Sequence, residues 1–335
     1  MLENNIIVKL NKKMFKYLFK IYKKKKKEKR KDKFNYNIIK ELKEIKKYIN
    51  DLLTLNNIHK DYFYGAKYFN INDCNNINIL VDKLNIYDVN RFINIQDYKV
   101  HIQNPIELYS NKDVSPYPLF SYVNERKFKL GTYKYFLRLY PLFTKQLGIT
   151  EEYSKYKENI IKKFIRKLCE TKVFIYLFFI LKEKGKIKHF CNFPKFIYKF
   201  WFKSISKMNK NDSCLFEHLF LGELDTNNSN NLYGYHNWIL FYNDEKIGKV
   251  NYYGYHNIIN NIISIKFSFE ANIKHACSFF IGTSIEFEMA LYTLIAFFTN
   301  ENKIKLLYYN KHITFNIIRK NNRIISIYPV LGFFS

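Results

Sequence analysis

YGYHNWILFYNDEKIGKVNYYGYHN, residues Tyr233–Asn257, begins and ends with the same pentapeptide. Its reading decides the fold. A structural repeat would make the chain a stack of similar units. Two matched histidines would suggest a metal site. The third reading is one working histidine and one coincidental copy, set in an ordinary domain. The surroundings of each copy choose among these.

Working outward, the texture changes beyond Asp212. Five of the ten glycines fall between Gly222 and Gly282, and short alternating segments appear. Ile262–Phe269, Lys303–Tyr309, and the pair Ile313–Ile318 and Ile324–Tyr328 around the turn KNNR all read as strands. One helix interrupts them. Thr283-Ser284-Ile285-Glu286 reads as a capping box, and Phe287, Leu291, Leu294 and Phe298 then form an apolar stripe. Upstream, residues 116–210 read as helices at Tyr133–Leu147, Thr150–Lys167 and Thr171–Lys184, each polar on one side. The fold class is therefore α+β, with a helical N-terminal half followed by a strand-rich half. An Asn-rich linker is expected over residues 66–85, so the domain spans 86–335 and residues 1–85 are a basic extension. Within that extension Leu42–Leu55 has helical spacing.

Composition bounds the function. In 335 residues the net charge is +27, with 47% hydrophobic and 19% aromatic residues. Such a chain folds, and its charge points to a polyanionic partner: RNA, DNA or an anionic membrane surface. Codons rich in A and T would also raise the Lys, Asn, Ile, Tyr and Phe content without any such partner. The run Lys23–Lys33 (KKKKKEKRKDK) suits a nuclear address, an RNA-gripping arm or a solvated tail. Five cysteines, with no CxxC spacing, suit free thiols in a reducing compartment. No apolar secretory core is evident at the N-terminus, and Val173–Leu181 (VFIYLFFIL) is too short to span a bilayer of about 20 residues. The expectation is an intracellular protein, cytoplasmic or nuclear, without a transmembrane segment.

Five of the eight histidines lie between His218 and His312. FEHLFLGEL (Phe216–Leu224) sets Glu217 beside His218, with Glu223 six residues after Glu217. As a strand it would put both carboxylates on one face and His218 on the other. His236 follows in YGYHNW, and Lys274 in KHACS. Two histidines and a lysine are what RNA transphosphorylation needs. One imidazole takes the 2′-OH proton, the other protonates the 5′-oxygen, and the ammonium stabilises charge on the phosphorane. Histidine fills both roles because its ordinary pKa is ~6.5.

FEHLFLGEL, GYHNWILFY and K-x-x-x-S-FFIGTSIEFEMALYTL together resemble the XendoU (EndoU) family of uridylate-preferring endoribonucleases, whose domain is shared with viral uridylate-specific endoribonucleases. Asp88-Val89-Asn90-Arg91, Pro118–Asn124 (PLFSYVN) and Ser326-Ile327-Tyr328-Pro329 extend the likeness over residues 86–335. The resemblance implies His218 as general acid, His236 as general base and Lys274 as the third catalytic residue. It implies Ser278 against the uracil, Tyr328 stacking on or orienting the nucleoside, and an activity that needs Glu217 and Glu223. It implies manganese as cofactor, with those carboxylates as ligands or as groups orienting the histidines. The substrate is expected to be single-stranded, U-containing RNA, cut by a monomer to 2′,3′-cyclic phosphate and 5′-hydroxyl ends. The first pentapeptide occupies the family's G-x-H-N-W position, so His236 is the working copy and His256 a structural one.

Ile285 stands where the family usually has proline, and so does His275. The loop Asp225–Asn231 is longer than usual. Two other functions stay open at this point. One is an inactive RNA-binding protein that keeps the fold, and the other is a membrane-surface protein recruited by the Lys23–Lys33 run.

Overall fold

Nine consecutive apolar residues, Val173–Leu181, form the centre of a helix buried on every side, α4 (Lys172–Glu183). Thr171 starts it by accepting from the Phe174 N–H at 3.3 Å. Three other helices pack around it: α1 (Ile77–Tyr87), α3 (Lys155–Cys169) and α7 (Ile285–Phe298). That enclosure explains why α4 lacks the polar face expected of it.

The computed structural model describes residues 69–110, 112–208, 211–225, 231–321 and 323–332. They belong to one compact unit, Asp61–Ser335. The Lys23–Lys33 run and the helix expected at Leu42–Leu55 lie outside the described residues.

The linker expected over 66–85 is corrected by α1. Asn76 caps this helix through its side-chain oxygen, and Leu80, Val81 and Leu84 sit in the core. Asn-rich composition concealed a helix whose apolar residues recur at i, i+1 and i+4. The boundary after residue 85 therefore falls inside an element and moves upstream. Helix α2 (Gly131–Leu139) is shorter than the expected Tyr133–Leu147. Pro141 removes an amide donor, and the chain tightens into a 3₁₀ turn at Tyr140–Leu142. Helix α3 starts later than Thr150, because Ser154 is the residue whose hydroxyl meets the Lys157 N–H at 3.1 Å. Helix α5 (Phe193–Trp201) completes the helical half.

Strand pairs β1 (Tyr98–Val100) with β2 (Phe120–Val123), and β3 (Glu223–Asp225) with β4 (Asn231–Tyr233), are short and antiparallel. Residues 226–230, the expected long loop, lie outside the described residues. After helix α6 (Trp238–Lys246) come two three-stranded antiparallel meanders. One joins β5 (Val250–Ile259), β6 (Ile262–Phe269) and β7 (Asn272–Phe280). The other joins β8 (Lys303–Tyr308), β9 (Lys311–Lys320) and β10 (Arg323–Val330), with α7 between the two meanders in sequence. The α+β order read from the sequence is the observed one.

The cap of α7 falls one residue later than expected. Ser284, not Thr283, receives the Phe287 N–H at 3.1 Å. Glu286 accepts from Thr132 Oγ1 and Asn90 Nδ2, both at 2.6 Å. A stripe of four residues was expected, yet the helix is buried all round from Ile285 to Ile295.

Candidate active site

Glu217–Leu221 is a single π-turn rather than a strand. Its wide loop closes where the Gly222 N–H reaches the Glu217 carbonyl at 3.0 Å, five residues back. Gly222 ends the turn at φ 75°, a conformation that favours glycine. The expected opposition of Glu217 and His218 across a strand is thus corrected: His218 and Glu223 meet across the turn.

The His218 Nδ1–H donates to Glu223 Oε2 at 2.7 Å. Lys207 closes onto the same carboxylate oxygen and stands beside the ring nitrogen. With the proton held on Nδ1, Nε2 is the nitrogen left to meet a substrate. Burial lowers the pKa of His218, and the Lys207 ammonium lowers it further, while Glu223 works in the opposite direction. Glu223 itself stays ionised below its ordinary range: burial opposes this, and the His218 and Lys207 contacts prevail.

His236 lies on the turn before α6. Its Nδ1–H donates to the Ser278 carbonyl at 2.9 Å, which leaves the Nε2 lone pair free. Burial, and then the Lys274 charge, hold this imidazole well below its ordinary pKa. The two histidines therefore differ. His236 Nδ1 meets a carbonyl, and of the two rings His218 alone has a carboxylate beside it. Tyr328 lies flat on the His236 ring, with centroids 4.5 Å apart and planes inclined by 6°. Lys274 Nζ donates to the Leu232 carbonyl at 2.8 Å, and burial lowers its pKa. His218, His236, Lys274 and Tyr328 line one pocket of about 450 Å³.

The rest of the G-x-H-N-W segment sets His236 in place. Asn237 caps α6 by accepting from the Ile239 and Leu240 N–H groups at 3.1 and 3.3 Å. Trp238 Nε1 is fixed on the Thr283 carbonyl at 2.9 Å. Tyr235, on the other side, donates to Asp244 at 2.6 Å. The motifs upstream brace the core and stay out of the pocket. Asp88 accepts from the Ser284 N–H at 3.2 Å, and burial pushes its carboxyl up to about 7. Leu119 and Phe120 donate their N–H groups to Glu245.

Two more of the residues named from the resemblance are buried. Ser278 is buried, and what it gives the site is its main-chain carbonyl; it is not among the residues lining the pocket. Glu217 is fully buried, and among the described residues neither of its oxygens has a hydrogen-bond partner. Burial, then the Glu223 charge, raise its pKa well above the ordinary range. Manganese favours six oxygen ligands. Glu217 and Glu223 supply too few oxygens for such a cage, and Glu223 is already engaged by Lys207 and His218. No group of three or more His, Cys, Asp or Glu side chains among the described residues is placed to hold a metal ion.

Two pocket residues went unread in the sequence. Lys207 is one of 56 basic residues and has no motif around it. Ser326 lies two residues before Tyr328, and that alternation was the available signal. Its hydroxyl is buried against the pocket without a partner. The second pentapeptide copy, in β5, is structural. His256 faces the Ile106 carbonyl through Nδ1 at 2.9 Å and the His275 carbonyl through Nε2 at 2.7 Å.

Two imidazoles, only one of them against a carboxylate, and a buried lysine line one open pocket. A profile of the family "Endoribonuclease XendoU" matches residues 76–329, and the chain belongs to this family of endoribonucleases. It is 32% identical to poly(U)-specific endoribonuclease-B of Xenopus laevis, over 73% of this chain and 89% of the relative. Identity to the uridylate-specific endoribonuclease of Mus musculus is 33%, over 62% of this chain and 52% of that protein. The solved structure of XendoU, titled as a splicing-independent snoRNA processing endoribonuclease, superposes with a TM-score of 0.66 at 27% identity. It covers 77% of this chain and 97% of its own. No helix among the described residues is long and apolar enough to cross a membrane.

Proposed function

We propose that this endoribonuclease cleaves single-stranded RNA on the 3′ side of uridines by transphosphorylation, as a monomer. His236 Nε2 removes the 2′-OH proton, and the freed oxygen attacks the adjacent phosphorus. His218, as the imidazolium, gives its Nε2 proton to the departing 5′-oxygen. Lys274 offsets the charge that builds on the phosphorane. The products are a 2′,3′-cyclic phosphate and a 5′-hydroxyl. The observation that carries this reading is the asymmetry of the histidines: a carbonyl holds one as a neutral base, and a carboxylate supports the other as an acid.

Uracil selection is assigned to Ser278, with Ser326 and Tyr328 of the pocket wall. A donor–acceptor hydroxyl beside an aromatic face suits a pyrimidine edge. Manganese dependence rests on the resemblance alone, and no step above is routed through the ion.

A uridine-containing oligonucleotide, incubated in EDTA and separately with manganese, tests the proposal through end-group analysis. Cyclic phosphate ends at uridines are expected. A companion strand with 2′-deoxyuridine at the cleavage site should stay intact, because it lacks the attacking oxygen. Cutting of that strand would exclude the mechanism.

A further inference from the structure

A second cavity has a volume of about 370 Å³. Lys186, Lys199, Lys203, Arg319 and Arg323 line it, and no carboxylate does. None of the five is ion-paired among the described residues. Both arginines are held by main-chain carbonyls: Arg319 on Thr299 and Glu301, Arg323 on Ser204. Carbonyls fix the guanidinium planes and leave their charge unneutralised, with further N–H donors to offer. Like charges gathered in one recess repel, so the arrangement is stabilised when an anion enters it.

Two segments contribute residues to both the groove and the catalytic pocket. On the strand side, Arg323 and Ile324 face the groove, while Ile325, Ser326 and Tyr328 face the pocket. On the loop side, Lys203 and Ile205 face the groove, while Lys207 and Met208 face the pocket. The two linings meet in sequence at Ile318 and Arg319 of β9, at Ile324 and Ile325 of β10, and at Ile205 and Lys207 of the loop. Phe200 and Phe297, with ring centroids 5.2 Å apart, give the groove an aromatic wall on which a base can stack.

We propose that this groove binds the phosphates of the RNA strand beyond the cleaved uridine. It rests on the reading of the protein as an RNA-cleaving enzyme, and it adds a site that grips the strand without reacting with it. Recessed cations with an aromatic wall suit a single strand, whereas a lipid surface would need them on a convex face.

The test uses the full chain and the variant Lys199→Gln/Lys203→Gln, whose lysines are exposed and have no described hydrogen-bond partner. Counterion release gives each lost phosphate contact about 0.7 in the slope of log K against log salt, or roughly fivefold in affinity near 0.1 M salt. KM for a long uridine-containing strand should rise by that factor per contact, while kcat and the cleavage of a uridine dinucleotide stay unchanged. Equal losses on strand and dinucleotide, or no change on either, would overturn the proposal. So would loss of pelleting with phosphatidylserine vesicles while strand binding is kept. Binding of the uncleavable 2′-deoxyuridine strand, read by anisotropy, separates the two claims. Lysine-dependent binding by a chain that cuts nothing would sink the cleavage mechanism and sustain the groove.

Discussion

The carbonyl oxygen of His218 lies 1.6 Å from the point where a β-carbon on residue 234 would stand. Gly234 is therefore the contact through which the two histidine segments touch. Across it, the Tyr235 N–H reaches the His218 carbonyl at 3.3 Å, and the His236 N–H reaches the Leu219 carbonyl at 2.7 Å. The distance between acid and base is set by a missing methyl group.

Gly234→Ala should force those segments apart and abolish cleavage. Gly131→Ala is the control. Gly131 has φ 54° but nothing within 4 Å of its added β-carbon, so it bears the cost of backbone conformation alone, about 1 kcal/mol. Thermal unfolding and kcat/KM of the two variants check this: a Gly234→Ala enzyme with full activity would show that the contact does not position the histidines.

Activity should peak on the acidic side of ~6.5, the ordinary histidine value. The base must be deprotonated, so activity rises as pH climbs through the depressed pKa of His236. The acid must be protonated, so activity falls as pH climbs through that of His218, which is also lowered. Glu223→Gln removes a group that raises the His218 value and should move the falling limb to lower pH. Lys207→Met removes one that lowers it and should move the same limb upward. A kcat/KM profile that shifts the same way in both variants would refute the assignment of His218 as acid.

His236→Ala should cost roughly 10²–10⁴ in rate, the range for a general acid or base. His256→Ala should leave the rate of folded enzyme within a few-fold and act on stability instead. It removes the ring that lies between the Ile106 and His275 carbonyls, at about 1–3 kcal/mol if the carbonyl that took its N–H stays buried and unpaired. Equal kinetic losses in the two variants would contradict the separation of the pentapeptide copies.

Tyr328→Phe keeps the ring on His236, and Tyr328→Ala removes it. The first should stay within a few-fold of wild type in kcat. The second should lose more, because a stacked aromatic pair contributes about 0.5–1.5 kcal/mol to fixing the imidazole. Uracil preference, measured as the ratio of cleavage at uridine and cytidine, should fall in Ser326→Ala if its hydroxyl reads the base.

Motif, order and period settled much of this protein in advance. Strand β6 spans the residues that alternation assigned to it, and the halves follow in the order composition announced. Local caps then trimmed the helices: Ser154, Thr171 and Ser284 each start one where a hydroxyl meets an amide two or three residues on. Those effects act within a few residues, so they can be read along the chain. Helix α1 escaped because its Asn-rich composition resembles a linker, and only packing against α4 and α7 reveals its apolar side as core.

The pentapeptide YGYHN marks the limit of such reading. In the first copy Gly234 and Tyr235 both turn left-handed, at φ 65° and 66°, and bring His236 against Tyr328. In the second copy the same five residues lie in β5, where Gly254 makes room for the Asn104 carbonyl. Sequence alone named His218, His236 and Lys274 as partners, since reacting groups carry their chemistry in their side chains. What sets the two imidazoles apart is a carbonyl from Ser278 at one, and a carboxylate from Glu223 with an ammonium from Lys207 at the other. Each arrives from a different segment. Charge and proton position depend on what lies within a few ångströms in space, and that neighbourhood comes into being only when the chain folds.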